Sequence, residues 1–274
     1  MILWHDGAHD PAENMRRDET LLHSFTQCAH QRDGAPRPPV LRLFGFWPHG
    51  ITLGHAQSPE RVLDLERCRA DGVPWAVRPT GGRAVFHAEE WTYSLTAALD
   101  DPEWGGSLAA AYDRASRLIR DSLARLGVPA ALAARHAAAP AEPASRGAAQ
   151  SCFASTARHE VLLGRRKLVG SAQRRTPWGF LQHGSIRLAD DSALYRDVLG
   201  AEPSLPCVDI SATLARRAIV DAFERALGAP LEVSELSRDE RRERDLRIAA
   251  RARDPLLAPP FASSRFRPSA DRLA

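Results

Sequence analysis

The chain has 274 residues, of which 44% are hydrophobic and 26% charged, as expected for a folded globular protein. Its formal net charge of +3 is small, and its densest charged run (237–254) mixes both signs at helical spacing, which argues against a nucleic-acid-binding surface. No run approaches the roughly 18 apolar residues of a membrane span, and no basic leader precedes an apolar core, so we expect a cytoplasmic protein without a membrane partner.

The first part of the chain predicts a helix followed by two strands. The helix starts near Pro11 and continues through ENMRRDETLLHSFTQCAHQ, with an apolar face formed by Met15, Leu21, Leu22 and Phe25. The segment RDGAPRPP then breaks the helix. The apolar runs 40–47 and 50–56, separated by Pro48-His49-Gly50, read as adjacent strands.

The rest of the chain alternates strands and helices. Further strand candidates cover 74–80, 83–87, 91–99, 158–164, 166–176 and 179–189. Helices are predicted near 60–69, 107–128, 211–227 and 237–252. Residues 129–150 are rich in Ala and Pro and predict a long loop. Strands in the middle, with helices before, between and after them, predict an α+β (mixed α/β) fold.

The cysteines show no metal-binding pattern, since Cys28, Cys68, Cys152 and Cys207 have neither CxxC spacing nor a histidine at zinc-finger distance. Scattered thiols of this kind usually serve as packing residues. Cys152 differs because it lies among small residues in SCFAS, directly after the Ala/Pro-rich segment. A free thiol has a pKa of about 8.5, so a nucleophilic Cys152 would need a positively charged neighbour.

The basic residues raise a question about Lys167, which is the one lysine among 37 Lys and Arg residues. Arginine stays charged, whereas lysine is a compact cation that can gain and lose a proton. Lys167 can be read as a solvated surface residue or as a catalytic cation. If the fold brings it beside Cys152, the ammonium would hold the thiolate and could later exchange a proton with the reacting groups.

The stretch RPTGGRAVFH (78–87) contains two adjacent glycines between predicted strands. Gly81 and Gly82 permit positive φ and close approach of a ligand to the backbone. A plain hairpin turn would explain the pair equally well. The flanking Arg78, Arg83 and His87 favour a cradle for an anion or a polar ligand.

The stretch GRRKLVGSAQRR (164–175) predicts a turn at Gly164-Arg165 followed by a strand. Its small residues, 170–172, would let a flat group pack against the backbone, and a bulged strand is the alternative. The following LQHGS places His183 in an apolar strand, where it is either a hydrogen-bonded core residue or part of a pocket.

Six motifs occur in an order that resembles the catalytic domain of lipoate and biotin protein ligases. They span roughly residues 10–200 and read NMRRDETLL, GITLGHAQ, RPTGGRAVFHAEEWTYSL, CFAS, GRRKLVGSAQRR and LQHGSIRL. Within this superfamily the chain most resembles the Gram-positive type of octanoyl-[acyl carrier protein]:protein N-octanoyltransferase, which pairs a cysteine in a CF loop with a lysine in KxxGSAQ. The resemblance implies two β-sheets flanked by helices.

The resemblance also implies a mechanism without cofactor or metal. Cys152 would attack the octanoyl thioester of acyl carrier protein, and Lys167 would keep the thiol ionised and position the acyl carbonyl. A lysine of a lipoyl domain would then take the acyl group as an amide. The implied substrate-binding residues, some of whose backbone N–H groups could form an oxyanion hole, are Arg78, Thr80, Gly81, Gly82, Arg83, His87, Gly170, Ser171, Ala172, His183, Gly184 and Ser185.

The chain departs from the family pattern at three points. ATP-dependent lipoate ligases usually have GGG where this chain has Gly81-Gly82-Arg83, which favours the transferase branch. The acidic residue that commonly follows the motif's histidine is Ala88 here, with Glu89 and Glu90 next. The Ala/Pro-rich segment before Cys152 is also longer than the resemblance leads us to expect.

Several functions therefore stay open. The leading hypothesis is a monomeric octanoyltransferase with octanoyl-acyl carrier protein as donor and, as acceptor, a lipoyl-domain protein such as the glycine-cleavage H protein or a dehydrogenase E2. The alternatives are an ATP-dependent lipoate–protein ligase, an amidotransferase between lipoyl domains, and a non-catalytic acyl-binding relative. We expect a catalytic domain over 1–230 and a helical C-terminal extension over 231–274.

Overall fold

The computed structural model describes residues 1–30, 37–133, 137–138, 155–156, 159–190 and 206–233. Its strands are β1 (Ile2–His9), β2 (Val40–Phe46), β3 (Gly50–Leu53), β4 (Trp75–Val77), β5 (Val85–His87), β6 (Glu90–Ala98), β7 (Ala130–Leu132), β8 (Ala137–Ala138), β9 (Ser155–Thr156), β10 (Val161–Leu163), β11 (Arg166–Arg175), β12 (Gly179–Arg187) and β13 (Glu232–Val233). Its helices are α1 (Pro11–His30), α2 (Pro59–Val62), α3 (Leu65–Asp71), α4 (Leu108–Arg125) and α5 (Ala212–Leu227).

The described strands form a large sheet, a small sheet and a short two-stranded pair, β8-β9. The main sheet has the order β13-β1-β2-β6-β12-β11-β10-β7. Its central strand β6 is antiparallel to both β2 and β12, and β1 is parallel to β2. The small sheet has the order β4-β3-β5. This architecture confirms the predicted α+β class with two sheets and flanking helices.

Strand β6, EWTYSLTAA, is buried on both faces, but its apolar side chains lie on one face and its small polar side chains on the other. Trp91, Tyr93 and Leu95 belong to the large hydrophobic core that contains residues of α4 and α5. The alternate positions Thr92 and Ser94 face the opposite way, because successive side chains of a strand point to opposite faces. On that side α1 packs against strands of both sheets.

The helix boundaries follow from local capping. The Ser107 side chain caps the first turn of α4, and the Ser211 side chain does the same for α5. Gly228 ends α5 in the left-handed conformation that glycine adopts readily. The helices predicted from Pro11, at 107–128 and at 211–227 are confirmed. None of the described helices combines the length and the apolar character needed to cross a membrane.

The runs 40–47 and 50–56 both contain strands, as predicted, but the prediction that these strands are adjacent is wrong. The first run is β2 in the main sheet, whereas β3 begins at Gly50 and lies in the small sheet, between β4 and β5. The chain changes sheets across Trp47–His49, which a local apolar pattern does not reveal. The helix predicted at 60–69 is in fact two short helices, α2 and α3, because Asp64 caps a new helix.

The strands at both ends of the main sheet were not predicted. The strand β1 precedes the first predicted helix, and β13 pairs with β1 through residues distant in sequence. Part of the segment predicted as a loop at 129–150 forms β7 and β8, and its other residues from 134 onward lie outside the described part. The helix predicted at 237–252 also lies outside it, so the helical extension stays a prediction.

Candidate active site

A narrow pocket, here called the central pocket, lies between the polar face of the main sheet and the small sheet. The residues that line it come from α1, from both sheets and from the loop after β4: Met15, Phe46, Thr52, Arg78, Val85, His87, Thr92, Gly170, Ser171, Ala172, His183, Gly184 and Ser185. Its wall in the main sheet is the pairing of Gly170–Ala172 with His183–Ser185. Small residues in both strands leave this wall open to a ligand.

Gly184 is needed where it lies, because a Cβ atom there would meet the Ser171 Oγ at 2.5 Å and the Tyr93 Cε1 at 2.6 Å. These distances are shorter than a carbon atom tolerates, so an alanine would push β11 or the tyrosine ring away. The hydroxyl groups of Tyr93 and Ser171 are hydrogen-bonded at 3.1 Å. The close packing of β11 against β12 therefore requires small residues in both the LQHGS and the GSAQ motifs.

His183 connects α1 to the loop that carries the two glycines. Its Nδ1 lies 2.9 Å from an Asp18 carboxylate oxygen, and its Nε2 lies 2.6 Å from the Thr80 hydroxyl. Because a carboxylate only accepts, Nδ1 donates to Asp18 and Nε2 accepts from Thr80. Burial lowers the pKa of His183, against the opposing effect of Asp18, so the imidazole is neutral at pH 7.

Asp18 is held in turn by Arg42, a fully buried arginine on β2. The guanidinium donates to Asp18 Oδ1 at 2.8 Å, to Asp6 Oδ2 at 2.7 Å and to Asn14 Oδ1 at 2.6 Å. Burial alone would raise the pKa of Asp18, but the charge of Arg42 and the hydrogen bond from His183 hold it below its usual value. The network therefore fixes an ionised carboxylate beneath His183.

His87 repeats this arrangement on the other side of the central pocket. Its Nδ1 donates to Glu90 Oε1, and its Nε2 lies 2.7 Å from the Thr52 hydroxyl. Glu90 also accepts from the hydroxyl groups of Thr92 and Ser185. The carboxylate beside the motif's histidine thus comes from Glu90, three residues on, while Ala88 is a buried core residue. Each pocket histidine is fixed between a threonine hydroxyl and a carboxylate.

The glycine pair shapes a loop of the small sheet and is not a hairpin turn, since β4 and β5 each pair with β3. Gly82 has a φ of +96°, and its carbonyl oxygen would lie 1.9 Å from a Cβ atom at Gly54. The Arg78 guanidinium donates to the carbonyl groups of Gly81, Thr52 and Arg83. Arg78 therefore holds the loop against β3 while lining the central pocket.

Lys167 is buried, with 5% of its surface exposed, and its ammonium forms an ion pair with Glu160, which is 4% exposed. The tight turn between β10 and β11, with Gly164 at φ +62°, brings the two side chains together. A lysine buried to this degree is unusual unless it is paired. The interpretation of Lys167 as a solvated surface residue is therefore wrong.

The structure describes most of the predicted site residues. Arg78, His87, Gly170–Ala172 and His183–Ser185 line the central pocket, whereas Thr80, Gly81, Gly82 and Arg83 belong to its framework. Lys167 precedes Gly170 by three residues on β11, a spacing of about 10 Å along a strand. Cys152 lies outside the described residues.

The carboxylates and the arginine that orient the site were missed. Asp18, Glu90 and Glu160 are all buried next to a pocket histidine or Lys167, and Arg42 is buried on a strand whose flanking residues are apolar. A charged residue inside an apolar run, as in VLRLFGF, is the signal that could have identified Arg42. Among the residues the structure describes, no cluster of histidine, cysteine and acidic side chains could hold a metal.

Cys68 is the clearest packing cysteine in the described part of the chain. It lies buried in the small-sheet core, and burial together with the nearby Asp64 and Asp71 raises the pKa of its thiol to about 11. Such a thiol stays protonated at neutral pH and is a poor nucleophile.

Comparison with known proteins places this geometry in a family. The lipoyl protein ligase A/B catalytic domain matches residues 10–237. The octanoyltransferase LipM of Kyrpidia tusciae is 35% identical, with 87% of this chain and 91% of that protein covered. The octanoyltransferase LipM of Symbiobacterium thermophilum is 33% identical over 90% of this chain and 93% of its own, and that of Bacillus subtilis is 30% identical over 85% and 88%.

Solved structures agree on the fold. A lipoate-protein ligase A bound with ATP superposes with a TM-score of 0.68 at 20% identity and covers 90% of this chain and 94% of its own. A bipartite lipoate protein ligase from Thermoplasma acidophilum superposes with a TM-score of 0.68 at 18% identity, over 96% of this chain and 98% of that one. From the matched domain and the relatives at 30–35% identity, we conclude that the chain belongs to the lipoyl protein ligase A/B catalytic domain family.

Proposed function

We propose that this chain is an octanoyltransferase of lipoate biosynthesis, which moves an octanoyl group from acyl carrier protein to a lysine of a lipoyl domain. The observation that carries the proposal is a narrow pocket lined by small, apolar and histidine side chains, with a buried lysine on the strand that forms its wall. The relatives named octanoyltransferase, which cover most of the chain, support the same assignment.

The central pocket suits an acyl chain at one end and a carbonyl group at the other. Met15, Phe46 and Val85 supply apolar surface, and an aliphatic chain gains about 0.8 kcal/mol for each methylene removed from water. Gly170–Ala172 follow Lys167 on β11, and their backbone N–H groups could stabilise the oxygen of a tetrahedral intermediate. The pocket therefore orients the acyl group with its carbonyl toward β11.

The proposed reaction has two transfers. The Cys152 thiolate attacks the carbonyl carbon of the donor thioester, the bond to the carrier sulfur breaks, and the leaving carrier thiolate takes a proton from the Lys167 ammonium, which regains one in the second transfer. The amine of the acceptor lysine then attacks the acyl-enzyme, loses a proton, and forms an amide while the Cys152 sulfur departs as a thiolate. No ATP is consumed, because the donor thioester is already activated.

Lys167 and Glu160 supply the charge that this chemistry requires. A buried ammonium favours a thiolate over a neutral thiol nearby, and the ion pair with Glu160 holds the ammonium in place. Arginine would retain the charge but not the compact, exchangeable proton. We therefore assign the stabilisation of the Cys152 thiolate to Lys167, and the positioning of Lys167 to Glu160.

An intact-mass measurement tests the proposal. The protein is incubated with octanoyl-acyl carrier protein in the absence of ATP, and its mass is recorded before and after hydroxylamine treatment. We expect an octanoyl adduct that hydroxylamine removes, that is absent from Cys152→Ser and that persists in Cys68→Ser. The second variant is the matched control, because Cys68 is buried with a raised pKa.

Each alternative predicts a different outcome in this experiment. A lipoate–protein ligase would give no adduct but would modify a lipoyl domain with free octanoate and ATP. An amidotransferase would acquire the adduct only from an octanoylated protein donor. A protein that binds the acyl group without chemistry would fail all three assays, and each of these results would overturn the proposal.

A further inference from the structure

A second pocket lies at the end of the main sheet, beside the central pocket. It is formed where β2 ends, where β5 connects to β6, by Leu188 after β12, and by the residues that enter α5: Gly45, Phe46, Trp47, His49, Ala88, Glu89, Glu90, Leu188, Asp209, Ile210, Ser211 and Ala212. Its volume is about 210 Å³, roughly seven times the share of one water molecule in the liquid. It therefore has room for several methylene groups.

Phe46, His87 and Glu90 lie where the two pockets meet. Phe46 lines both of them, is 3% exposed, and stacks on the His87 ring with 3.8 Å between ring centroids. Glu90 lines the second pocket, while its carboxylate holds His87 and Ser185, which line the central one. Of these three, only Phe46 is an apolar residue outside the hydrogen-bond network of the histidines.

Phe46 lies across the main sheet from the proposed site of the acyl carbonyl, at a distance greater than the length of an octanoyl chain. β2 lies three strand spacings from β11 across β6 and β12, which is about 14 Å. An extended eight-carbon chain with bonds of about 1.5 Å spans roughly 9 Å. A chain whose carbonyl lies at Gly170–Ala172 and which crosses the sheet toward β2 therefore ends short of the β2 backbone, and further carbons would bring it against the Phe46 side chain, which lines the central pocket from β2.

We propose that Phe46 sets the upper limit on acyl-chain length by closing the central pocket against the second pocket. This inference rests on the proposed octanoyl transfer and names the residue that determines its specificity. A chain with further carbons would meet the Phe46 ring, which is held by its stacking on His87. Removing the ring would join the two pockets, so that extra methylenes could pack beside Trp47, Leu188 and Ile210.

The test compares acyl-carrier-protein thioesters of eight, ten and twelve carbons. For Phe46→Ala we expect the ratio of kcat/KM for the dodecanoyl donor to that for the octanoyl donor to rise by about tenfold or more, the scale of discrimination that hydrophobic pockets achieve. Phe223→Ala is the matched control, because it removes an equally buried ring from the α5 core, outside the residues that line either pocket. Its ratio should equal that of the wild type.

A milder variant covers the possibility that Phe46→Ala fails to fold. Phe46→Val makes a smaller opening and should raise the relative rate with the decanoyl donor. If the folded variants transfer octanoyl groups with the chain-length ratio of the wild type, the assignment of Phe46 is wrong although the transferase proposal stands. If neither the wild type nor Phe223→Ala transfers any acyl group, the proposed function itself fails.

Discussion

The two faces of the main sheet are equally buried but chemically opposite. Toward α4 and α5 the strands present Leu43, Tyr93 and Ile186 within one continuous hydrophobic core. Toward α1 and the small sheet, the alternate positions of the same strands present Arg42, Ser94 and other buried polar groups. Apolar side chains on the first face require no specific partner. Each buried polar group on the second face must form a hydrogen bond or an ion pair with a particular residue.

The precise geometry of the site originates on the polar face of the sheet. Apolar contacts tolerate exchange of one aliphatic residue for another of similar volume. The face toward α4 and α5 therefore constrains the orientation of individual side chains only weakly. On the polar face, hydrogen bonds fix Asp18 against Arg42, His183 and Ser94, and so fix the imidazole in one orientation. The main sheet thus packs against a hydrophobic core on one face and carries, on the other, side chains whose orientations are fixed by hydrogen bonds.

The largest expected effect comes from removing the central cation of the polar face. Arg42→Ala leaves buried Asp18 without its guanidinium and Asp6 with only that of Arg17, and it should lower the free energy of unfolding by about 3–5 kcal/mol. The effect should diminish as pH falls, because both carboxyl groups in the variant take up a proton more readily than in the wild type, where Arg42 lowers their pKa. Urea unfolding at several pH values measures this.

Leu43→Ala on the opposite face is the comparison for Arg42→Ala. It should lower the free energy of unfolding by about 2–5 kcal/mol through lost burial and cavity formation. That loss should be independent of pH, because no titratable partner is exposed. Parallel pH dependence in the two variants would contradict the assignment of the Arg42 effect to its carboxylates.

The next effect concerns catalysis. Lys167→Arg should preserve the fold but reduce octanoyl transfer by about 100-fold or more, because a proton-exchanging group of this kind contributes on that scale. Glu160→Gln should reduce transfer less, since the neutral amide no longer forms an ion pair that holds the ammonium in place. Steady-state transfer assays with circular dichroism as the folding check measure both.

The apolar face again provides the control. Ile119→Val, in the α4 core, should reduce the free energy of unfolding by about 0.5–1.5 kcal/mol and leave turnover unchanged below the unfolding transition. Wild-type turnover in Lys167→Arg would show that a fixed positive charge is sufficient and would remove the special role assigned to lysine.

A steric change at the boundary of the two faces should have a smaller effect. Gly184→Ala places a methyl group against Ser171 and Tyr93, and overpacking of this kind costs roughly 1–3 kcal/mol. Because the same change displaces β11 at the pocket wall, we expect KM for the donor to rise. Thermal unfolding and transfer kinetics on the same preparation measure both, and an unchanged melting temperature would contradict the close packing described here.

The smallest predicted effect is a pH dependence from His183. Its pKa is lowered in the folded state, so the unfolded chain takes up a proton first as pH falls below about 6.5, and stability declines in that window. His183→Gln should reduce this decline by at most about 1.4 kcal/mol per pH unit. Unfolding free energies between pH 5 and 7.5 test the sign, and a wild-type slope in the variant would contradict it.

The fold was predictable from sequence where its causes are local. The β10–β11 turn at Gly164 and the helices from Pro11, 107 and 211 follow from periodicity, capping residues and a glycine turn. The change of sheet between β2 and β3 was not predictable, because pairing with β4 and β5 depends on residues far along the chain. The same reason explains why β1 and β13 were missed.

The candidate site was predictable only in part. The glycine, histidine and lysine motifs could be identified from a family resemblance, but their carboxylate partners could not. Asp18 lies 24 residues from Arg42 in sequence and 165 from His183, so only the folded chain brings the three together. Glu160 lies seven residues before Lys167, across a turn, and a hairpin prediction could have found it.

A single-turnover discharge tests most directly whether Cys152 carries the acyl group and whether Lys167 supports its transfer without ATP. The octanoylated enzyme is freed of donor and mixed with a lipoyl domain, and the masses of both proteins are followed in time. We predict that the enzyme loses its octanoyl group at the rate at which the lipoyl domain gains it, and that Lys167→Arg slows both together. A stable adduct that never discharges to the lipoyl domain would contradict the account.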